Sequence, residues 1–338
     1  MTKTPETWLP LVQEEVVEPD LPIVDPHHHL WDHTGRGGFQ PVYLLDELRG
    51  DTGSGHNVEK TVFIECDWAY RTDGPEHLRP VGETEYVAGV AKASEDGKGA
   101  KIAAIVSSCD LTLAAAQLAE VLDSHVAAAN GLFRGIRHRL ANDPTNSAHT
   151  SRFKAPDATL MDQDAFRAGV AELGRRGHTF EAWLYHPQLP LLIAMAPTVP
   201  GTTIILNHIG APLGVGAYAD QRPAVLAQWR EWTAELSMFP NVVVKLGGIG
   251  MPPYGSGWST GDRPATSDEI VAEWGGPMQH LIEKFGANRC MFESNFPVDK
   301  VSCSYRVLWN AFKKLSADLP AADRAELFSG TASRVYRV

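Results

Sequence analysis

Short runs of apolar, mostly β-branched residues recur along the chain, and a stretch with helical spacing follows most of them. The runs are continuous rather than alternating, which is typical of strands buried on both faces of a parallel sheet. The predicted strands are Pro22–His29, Lys60–Cys66, Lys101–Ser108, Leu132–His138, Thr179–Tyr185, Thr202–Asn207, Asn241–Leu246 and Arg289–Ser294. The pattern therefore predicts eight buried strands.

Helical periodicity predicts the segments between these strands. The predicted helices are Glu83–Glu95, Leu111–Asn130, Gln163–Arg176, Pro223–Ser237, Ser267–Phe285 and Ala321–Phe328. Strands that alternate with helices form a parallel sheet, and eight of them close a (β/α)8 TIM barrel. A doubly wound open sheet is the alternative, and the lack of a GxGxxG motif after the first strand disfavours it.

Two connections are longer than the usual loops between such elements. They are Leu140–Leu160 after the fourth predicted strand and Gly247–Thr266 after the seventh. Loops that follow barrel strands lie on the catalytic face, so we expect both to cover a substrate, with plain surface insertions as the alternative. No linker is visible, so one domain over residues 1–338 is expected, with residues 1–20 as an N-terminal extension.

Composition excludes several classes of function. The 338 residues hold 30 Lys and Arg against 41 Asp and Glu, a formal net charge of −11, which disfavours binding to nucleic acid or to a membrane surface. No apolar run reaches the ~18 residues of a membrane span, and the acidic first 20 residues do not resemble a secretory signal. The chain is therefore expected to be cytoplasmic and to act on a small molecule; a homodimer stays open, because no interface is identifiable.

The first predicted strand ends in three consecutive histidines, His27, His28 and His29. Alternate side chains of a strand share a face, so His27 and His29 point the same way, into the mouth of the barrel. Two neutral imidazoles can hold one divalent cation, and zinc is the usual one. Histidines that serve only as hydrogen-bond partners are the alternative.

Five sequence blocks, in barrel order, resemble the amidohydrolase superfamily, in particular its amidohydrolase-related branch with the sugar lactonases and 2-pyrone-4,6-dicarboxylate lactonase. The blocks are Asp25–Trp31, Arg134–His138, Trp183–Leu189, Asn207–Pro212 and Ser294–Val298. The resemblance implies a distorted TIM barrel with its site at the carboxyl ends of the strands. It also implies hydrolysis of a C–O or C–N bond or, in one sub-branch, decarboxylation.

The resemblance also implies a set of metal ligands. In that superfamily the metal is held by the first-strand HxH pair, by histidines after strands five and six, and by an Asp after strand eight. These positions correspond to His27 and His29, to His208 after strand six, and to His186 after strand five. A shift of one residue in the fifth strand would turn Tyr185 and Trp183 inward and leave His186 to cap the strand end against a backbone group.

The chain departs from the superfamily at the eighth strand, where Asn295 stands in place of the usual Asp. An amide is a weaker ligand for a hard cation and cannot accept a proton as a carboxylate does. Either histidines and other groups hold the metal, or the site works without one; the branch contains both kinds of enzyme.

A different carboxylate is therefore needed as a catalytic base. The candidates are Glu293, which lies one layer deeper on the same strand face, and Asp299 in the following loop, with Glu65 and Asp67 after the second strand as further choices. The alternative for Asp299 is a salt bridge with Lys300, and for Glu293 it is the support of a histidine.

Cationic and aromatic residues at the strand ends suggest how a substrate binds. A charge at the end of an apolar strand is costly unless it is paired or faces a ligand. The predicted substrate-binding residues are Arg137, His138, Tyr185, His186, Lys245 and Trp31. We expect the cations to clamp a carboxylate and the aromatic rings to line a flat or sugar-like pocket.

These observations favour a hydrolase that opens a small carboxylate-bearing or sugar-derived lactone with activated water. A metal-dependent decarboxylase or an amide or ester hydrolase on the same barrel is one alternative. A barrel that binds a metabolite without catalysis is another, motivated by Asn295. No predicted strand runs directly into a GxSxG nucleophile elbow, and no phosphate-binding glycine loop occurs in the sequence.

Overall fold

The eight predicted strands all form, and they lie side by side in chain order as one parallel sheet. A computed structural model describes residues 3–35, 38–145, 148 and 156–338. The barrel strands are β1 (Ile23–His28), β2 (Val58–Ile64), β3 (Lys101–Ser107), β4 (Phe133–Arg139), β5 (Thr179–Trp183), β6 (Ile204–Leu206), β7 (Val242–Leu246) and β8 (Cys290–Phe292).

The sheet closes between its first and last strands. The main chain of His28 pairs with that of Phe296 just beyond β8, and Asn295 N donates to His27 O at 3.0 Å. This closure confirms the predicted TIM barrel. It also brings the residues that follow β8 against the histidines of β1.

Helices surround the barrel and also cover one of its ends. The helices are Pro5–Trp8, Leu45–Thr52, Val81–Ala93, Ala115–Ala128, Asp164–Arg175, Leu189–Met195, Arg222–Leu236, Ser267–Phe285, Tyr305–Leu315, Ala321–Ala325, a π-helical turn Glu326–Gly330 and the C-terminal helix Thr331–Tyr336. Two strands of two residues each, Trp31–Asp32 and Val42–Tyr43, form an antiparallel ribbon after β1. Within the part of the chain that the structure describes, none of the helices combines the length and the apolar character needed to cross a bilayer.

The barrel interior has its own apolar cluster. It contains Val24, Val62, Ile64, Ala104, Val106, Ile205, Val243 and Met291 from the strands, with Ala332 and Tyr336 from the C-terminal helix. These side chains pack against one another and against the C-terminal helix in the barrel interior. The histidines at the end of β1 lie beyond them, where the strands end.

The structure describes the second of the two long connections in full and the first one in part. Within the predicted segment Leu140–Leu160, residues 146, 147 and 149–155 lie outside the described residues. The segment Gly247–Thr266 contains two short 3-10 helices, Pro252–Tyr254 and Trp258–Thr260. The first of these lies over the open end of the barrel.

Candidate active site

The end of β1 places two histidine rings inside the barrel mouth. The pairing of β1 with β2 is irregular between Asp25 and His28, and the rings of His27 and His29 lie 4.9 Å apart between centroids. The ring of His28 points the other way and packs against Phe63. The predicted common face of His27 and His29 is therefore confirmed.

His208 brings a third imidazole to the same place from β6. Its backbone is left-handed, with φ +54°, and its ring lies 4.6 Å from that of His27 between centroids. A Cβ on Gly248 would lie 2.3 Å from His208 Nδ1. The glycine after β7 is thus required for the His208 ring to enter the cluster.

Glu293, just after β8, links two of these imidazoles. Its Oε1 accepts hydrogen bonds from His208 Nδ1 at 2.7 Å and from His208 N at 3.1 Å, and its Oε2 lies 2.7 Å from His27 Nδ1. All three side chains are almost fully buried. Burial raises the pKa of the Glu293 carboxyl to about 8 and lowers the pKa of both imidazoles well below the usual value. The rings are therefore neutral at pH 7 and keep a lone pair.

The donor atoms of His27, His208 and Glu293 suit a divalent cation. They lie within 4.8 Å of one another. His208 Nε2 and Glu293 Oε2 are buried without a hydrogen-bond partner among the described residues. Buried polar atoms of this kind are costly unless something fills the space between them. Neutral imidazole and carboxylate are also the ligand types that zinc prefers.

His29 lies beside this group but has a different set of contacts. Its Nδ1 lies 2.8 Å from Ile64 O, so Nδ1 bears the proton and Nε2 bears the lone pair. His29 lines the pocket above the cluster. Burial lowers its pKa well below the usual value. A neutral His29 therefore presents an unprotonated nitrogen to whatever binds there.

The two buried cations flank His27 from opposite sides. Arg137 Nη1 lies 3.3 Å from His27 Nε2, and Arg137 Nε donates to Glu65 Oε1 at 2.7 Å. Lys245 Nζ lies 3.2 Å from His27 Nδ1 and donates to Glu181 Oε2 at 2.8 Å. Each cation is paired with a carboxylate. Arg137 lines the pocket, whereas Lys245 is fully buried beneath it.

Asn295 and Asp299 form a pair at the edge of the pocket. Asn295, with φ +56°, lines the pocket and donates from Nδ2 to Asp299 Oδ1 at 2.8 Å. Asp299 is fully buried behind it and also accepts from Gly250 N. Burial raises the pKa of the Asp299 carboxyl to about 8. The alternative that Asp299 forms a salt bridge with Lys300 is wrong, because Lys300 pairs with Asp51 at 2.8 Å.

A pocket of about 370 Å3 lies above the cluster. It is lined by His29, Trp31, Cys66, Arg137, Arg139, Trp183, Tyr185, Met251, Pro252, Pro253, Asn295 and Val298. Trp31 stacks on His29, and Trp183 packs edge-on against Tyr185. The fifth strand therefore turns Trp183 and Tyr185 inward, as the shifted alternative predicted.

Two predicted substrate-binding residues lie away from this pocket. The ring of His138 packs against Phe166, and its Nδ1 contacts Cys109 O at 3.2 Å. The expectation that His138 binds a substrate together with Arg137 is wrong, because neighbouring residues of a strand point to opposite sides. His186 begins a 3-10 helix, and its Nδ1 accepts from Leu213 N at 3.2 Å. His186 therefore caps the backbone N–H of Leu213 and lies outside the group of His27, His208 and Glu293.

The sequence analysis did not single out Arg139 and Glu181. Arg139 lines the pocket, and its Nη2 donates to Asp67 Oδ2 at 2.7 Å. Glu181 is fully buried inside the barrel. A signal for Glu181 was present, because it is the only charged residue of Thr179–Trp183, as Lys245 is in its own strand. Glu65 and Asp67 each form an ion pair with an arginine, Glu65 with Arg137 and Asp67 with Arg139.

Comparison with known proteins places this geometry in a family. A sequence profile described as Amidohydrolase matches residues 24–338. The chain is 31% identical over 337 residues to "Uncharacterized protein y4mH" of Sinorhizobium fredii, across 94% of this chain and 99% of the relative. It is 30% identical over 239 residues to L-fucono-1,5-lactonase of Burkholderia multivorans, across 70% of this chain and 72% of the relative.

A solved structure of similar fold bears on the metal. It is an amidohydrolase from Burkholderia multivorans with bound zinc, 25% identical, with a TM-score of 0.72 over 94% of this chain and 99% of that chain. The zinc belongs to that protein. In this chain the donor atoms of His27, His208 and Glu293 lie close enough together to hold such an ion, and two of them are buried without a hydrogen-bond partner among the described residues.

Proposed function

Because the chain belongs to the amidohydrolase family, we propose that it is a hydrolase that opens a small lactone with activated water. One observation supports this most strongly: the donor atoms of His27, His208 and Glu293 converge beside a mainly apolar pocket. His29 and Arg137, which line that pocket, both contact His27. The lactonase relatives, at 25–30% identity, favour a cyclic ester over other hydrolysable bonds.

The pocket walls suit a compact ring. Trp31 and Trp183 offer flat apolar faces, and Met251 with Pro252 and Pro253 covers the ring from the connection after β7. Such surfaces bind a ring by excluding water. The guanidinium groups of Arg137 and Arg139 lie at one side and orient a carboxylate or hydroxyl group of the substrate.

The chemistry needs an electrophile and a proton acceptor. A divalent cation, zinc in our proposal, would be held by His27, His208 and Glu293 and would act as a Lewis acid on the ester carbonyl. His29 Nε2 accepts the proton of the attacking water, since Ile64 O fixes its tautomer. The same proton then passes to the alkoxide that leaves when the ring opens, so that His29 returns to its neutral form.

Asn295 positions the attacking water. Its amide nitrogen is engaged by Asp299, so the amide oxygen is the end left to accept a hydrogen bond from a water in the pocket. An amide oxygen can hold this water but cannot remove its proton. The base function is therefore assigned to His29 rather than to Asn295 or to the buried Asp299.

A panel of lactones tests the proposal. The purified protein is assayed with anionic ring lactones and with sugar-derived lactones, with and without added zinc or manganese, by proton release in a weakly buffered indicator solution. We expect turnover of at least one lactone, with one carboxylic acid formed for each ring opened and with stimulation by metal.

Two other results would contradict it. Release of carbon dioxide would identify a decarboxylase on the same barrel. Saturable binding of lactones without turnover, with and without metal, would instead support the metabolite-binding barrel.

A further inference from the structure

A chain of buried polar contacts connects the C-terminal helix to the active site through the barrel interior. Tyr336 OH donates to Glu181 Oε1 at 2.5 Å, and Lys245 Nζ donates to Glu181 Oε2 at 2.8 Å. Lys245 Nζ then lies 3.2 Å from His27 Nδ1. The four side chains are fully buried, each with an exposed fraction of 0%. The contacts thus cross the barrel from its closed end to the site.

Burying these polar groups would be costly if the C-terminal helix served only to close the barrel. Tyr336 packs among the apolar side chains that fill the barrel interior, including Val62 and Met291. A phenylalanine ring would fill the same space, and apolar residues in place of the Glu181–Lys245 ion pair would avoid the cost of desolvating two charges. Packing alone therefore gives no reason for a hydroxyl, a carboxylate and an ammonium at this depth.

Lys245 Nζ links Glu181 to His27. It lies within hydrogen-bond distance of His27 Nδ1, at 3.2 Å, and donates to Glu181 Oε2 at 2.8 Å. Because the contact with Glu181 is the shorter one and joins opposite charges, the carboxylate determines where the ammonium group lies beneath the imidazole. Tyr336 also contacts Lys245 directly, since its ring centroid lies 5.4 Å from Nζ.

Glu181 is in turn held by several donors. Besides Tyr336 and Lys245, the amide of Asn207 donates from Nδ2 to Glu181 Oε2 at 2.8 Å. Asn207 directly precedes His208, so the same carboxylate touches residues that support both imidazoles. Of its two oxygens, Oε1 is shared with the C-terminal helix and Oε2 with the active-site strands.

We propose that Tyr336 is a positioning residue: acting through Glu181, it holds Lys245 beneath His27 and so fixes the orientation of that imidazole in the active site. Only the expected effect on kcat rests on the proposed function, whereas the positioning of His27 does not. Tyr336 does not line the pocket. Its effect should therefore appear in the chemical step and not in substrate binding.

Tyr336→Phe tests this with a single atom removed. The ring and its packing stay, and only the donor to Glu181 is lost. We expect kcat to fall about tenfold, the lower end of the usual loss for residues that support a ligand from outside, with KM unchanged. A raised KM at unchanged kcat would overturn the proposal, because it would mean that the residue acts through the pocket.

The chain offers a matched control. Tyr43 OH donates to Asp51 Oδ2 at 2.8 Å, and Lys300 Nζ pairs with the same carboxylate at 2.8 Å. Tyr43 is also fully buried, but this tyrosine–carboxylate–lysine group lies outside the barrel interior. Tyr43→Phe should cost a similar amount of thermal stability and leave kcat unchanged. Equal kcat values for Tyr336→Phe and Tyr43→Phe would overturn the proposal.

A spectroscopic readout separates this inference from the proposed function. The imidazole 15N resonances of His27 are followed in histidine-labelled protein and are assigned with His27→Gln. We expect them to shift in Tyr336→Phe and in Glu181→Gln but not in Tyr43→Phe. Such a shift in a protein without lactonase activity would remove the proposed function and keep the positioning role, whereas unshifted resonances would remove the positioning role.

Discussion

Asn295 donates from its amide nitrogen to Asp299 Oδ1 at 2.8 Å, and this bond decides which end of the amide meets the pocket. In the resemblance that the sequence suggests, a carboxylate stands at the position of Asn295. Here the carboxylate belongs to Asp299, four residues later in the chain, and is fully buried. In the proposed function the amide oxygen of Asn295 is the end that faces the substrate.

The pair can be exchanged without breaking its hydrogen bond. In the double variant Asn295→Asp with Asp299→Asn, the new amide at 299 can donate to the new carboxylate at 295, and a charged oxygen reaches the pocket. We expect zinc to bind about tenfold more tightly than in the parent, as measured by competition with a chromophoric chelator.

The single variant Asn295→Asp is the control for this exchange. It places two carboxyl groups within hydrogen-bond distance, and like charges at that separation keep one of them protonated. Its gain in zinc affinity should therefore be smaller than that of the double variant. Equal zinc affinities in the parent and the double variant would show that position 295 does not face the metal.

His29 is assigned to proton transfer rather than to the metal. His29→Gln removes the basic Nε2 that faces the pocket, so kcat should fall by about 100-fold, within the usual range for a general base. The zinc content of the purified variant should stay at the parental level. Loss of zinc together with activity would make His29 a ligand, as the resemblance implies, and would leave the base unassigned.

His186 is expected to matter for stability alone. His186→Phe removes the acceptor of the Leu213 N–H, and a buried donor left without a partner costs about 1–3 kcal/mol. Denaturant unfolding should report a loss of that size, while kcat and KM of the folded protein stay unchanged. A large fall in kcat would return His186 to the site.

The buried carboxyl of Glu83 should make stability depend on pH. It accepts from Cys66 N and Trp68 N, and burial, followed by the charge of Glu65, raises its pKa from 4.5 to about 8. Between these values the folded state holds a proton that the unfolded state has lost. The free energy of unfolding therefore falls as pH rises through this window.

Glu83→Gln keeps the acceptor oxygen and removes the titration. Comparing the two proteins from about pH 5 to 8, we expect the parent to lose stability more steeply, by up to ~1.4 kcal/mol per pH unit. Parallel stability curves would show that Glu83 ionises normally. Because other buried acids titrate in both proteins, the informative quantity is the difference between the curves.

Much of the barrel was predictable, since a strand buried on both faces leaves a continuous apolar run. The alternation of side chains along β1 correctly placed His27 and His29 together. The same rule within β4 places His138 opposite Arg137, so that error was avoidable. The isolated charge of Lys245 pointed to a buried partner, although not to which one.

Other features depend on contacts that no local pattern encodes. Tyr336 reaches Glu181 because the C-terminal helix returns to close the barrel, a contact across 155 residues. The pair of Asn295 and Asp299 forms in an irregular segment after β8, where neither helical nor strand periodicity applies. The short helix Leu189–Met195, with prolines near both ends, has too few residues for its periodicity to show.

Zinc content tests the central claim most directly. The parent and His208→Gln are purified without chelators, dialysed against zinc-containing and then zinc-free buffer, and analysed for metal per chain by mass spectrometry. We predict close to one zinc per chain in the parent and almost none in His208→Gln. Equal zinc in the two proteins, or none in the parent, would contradict a metal centre built on His27, His208 and Glu293.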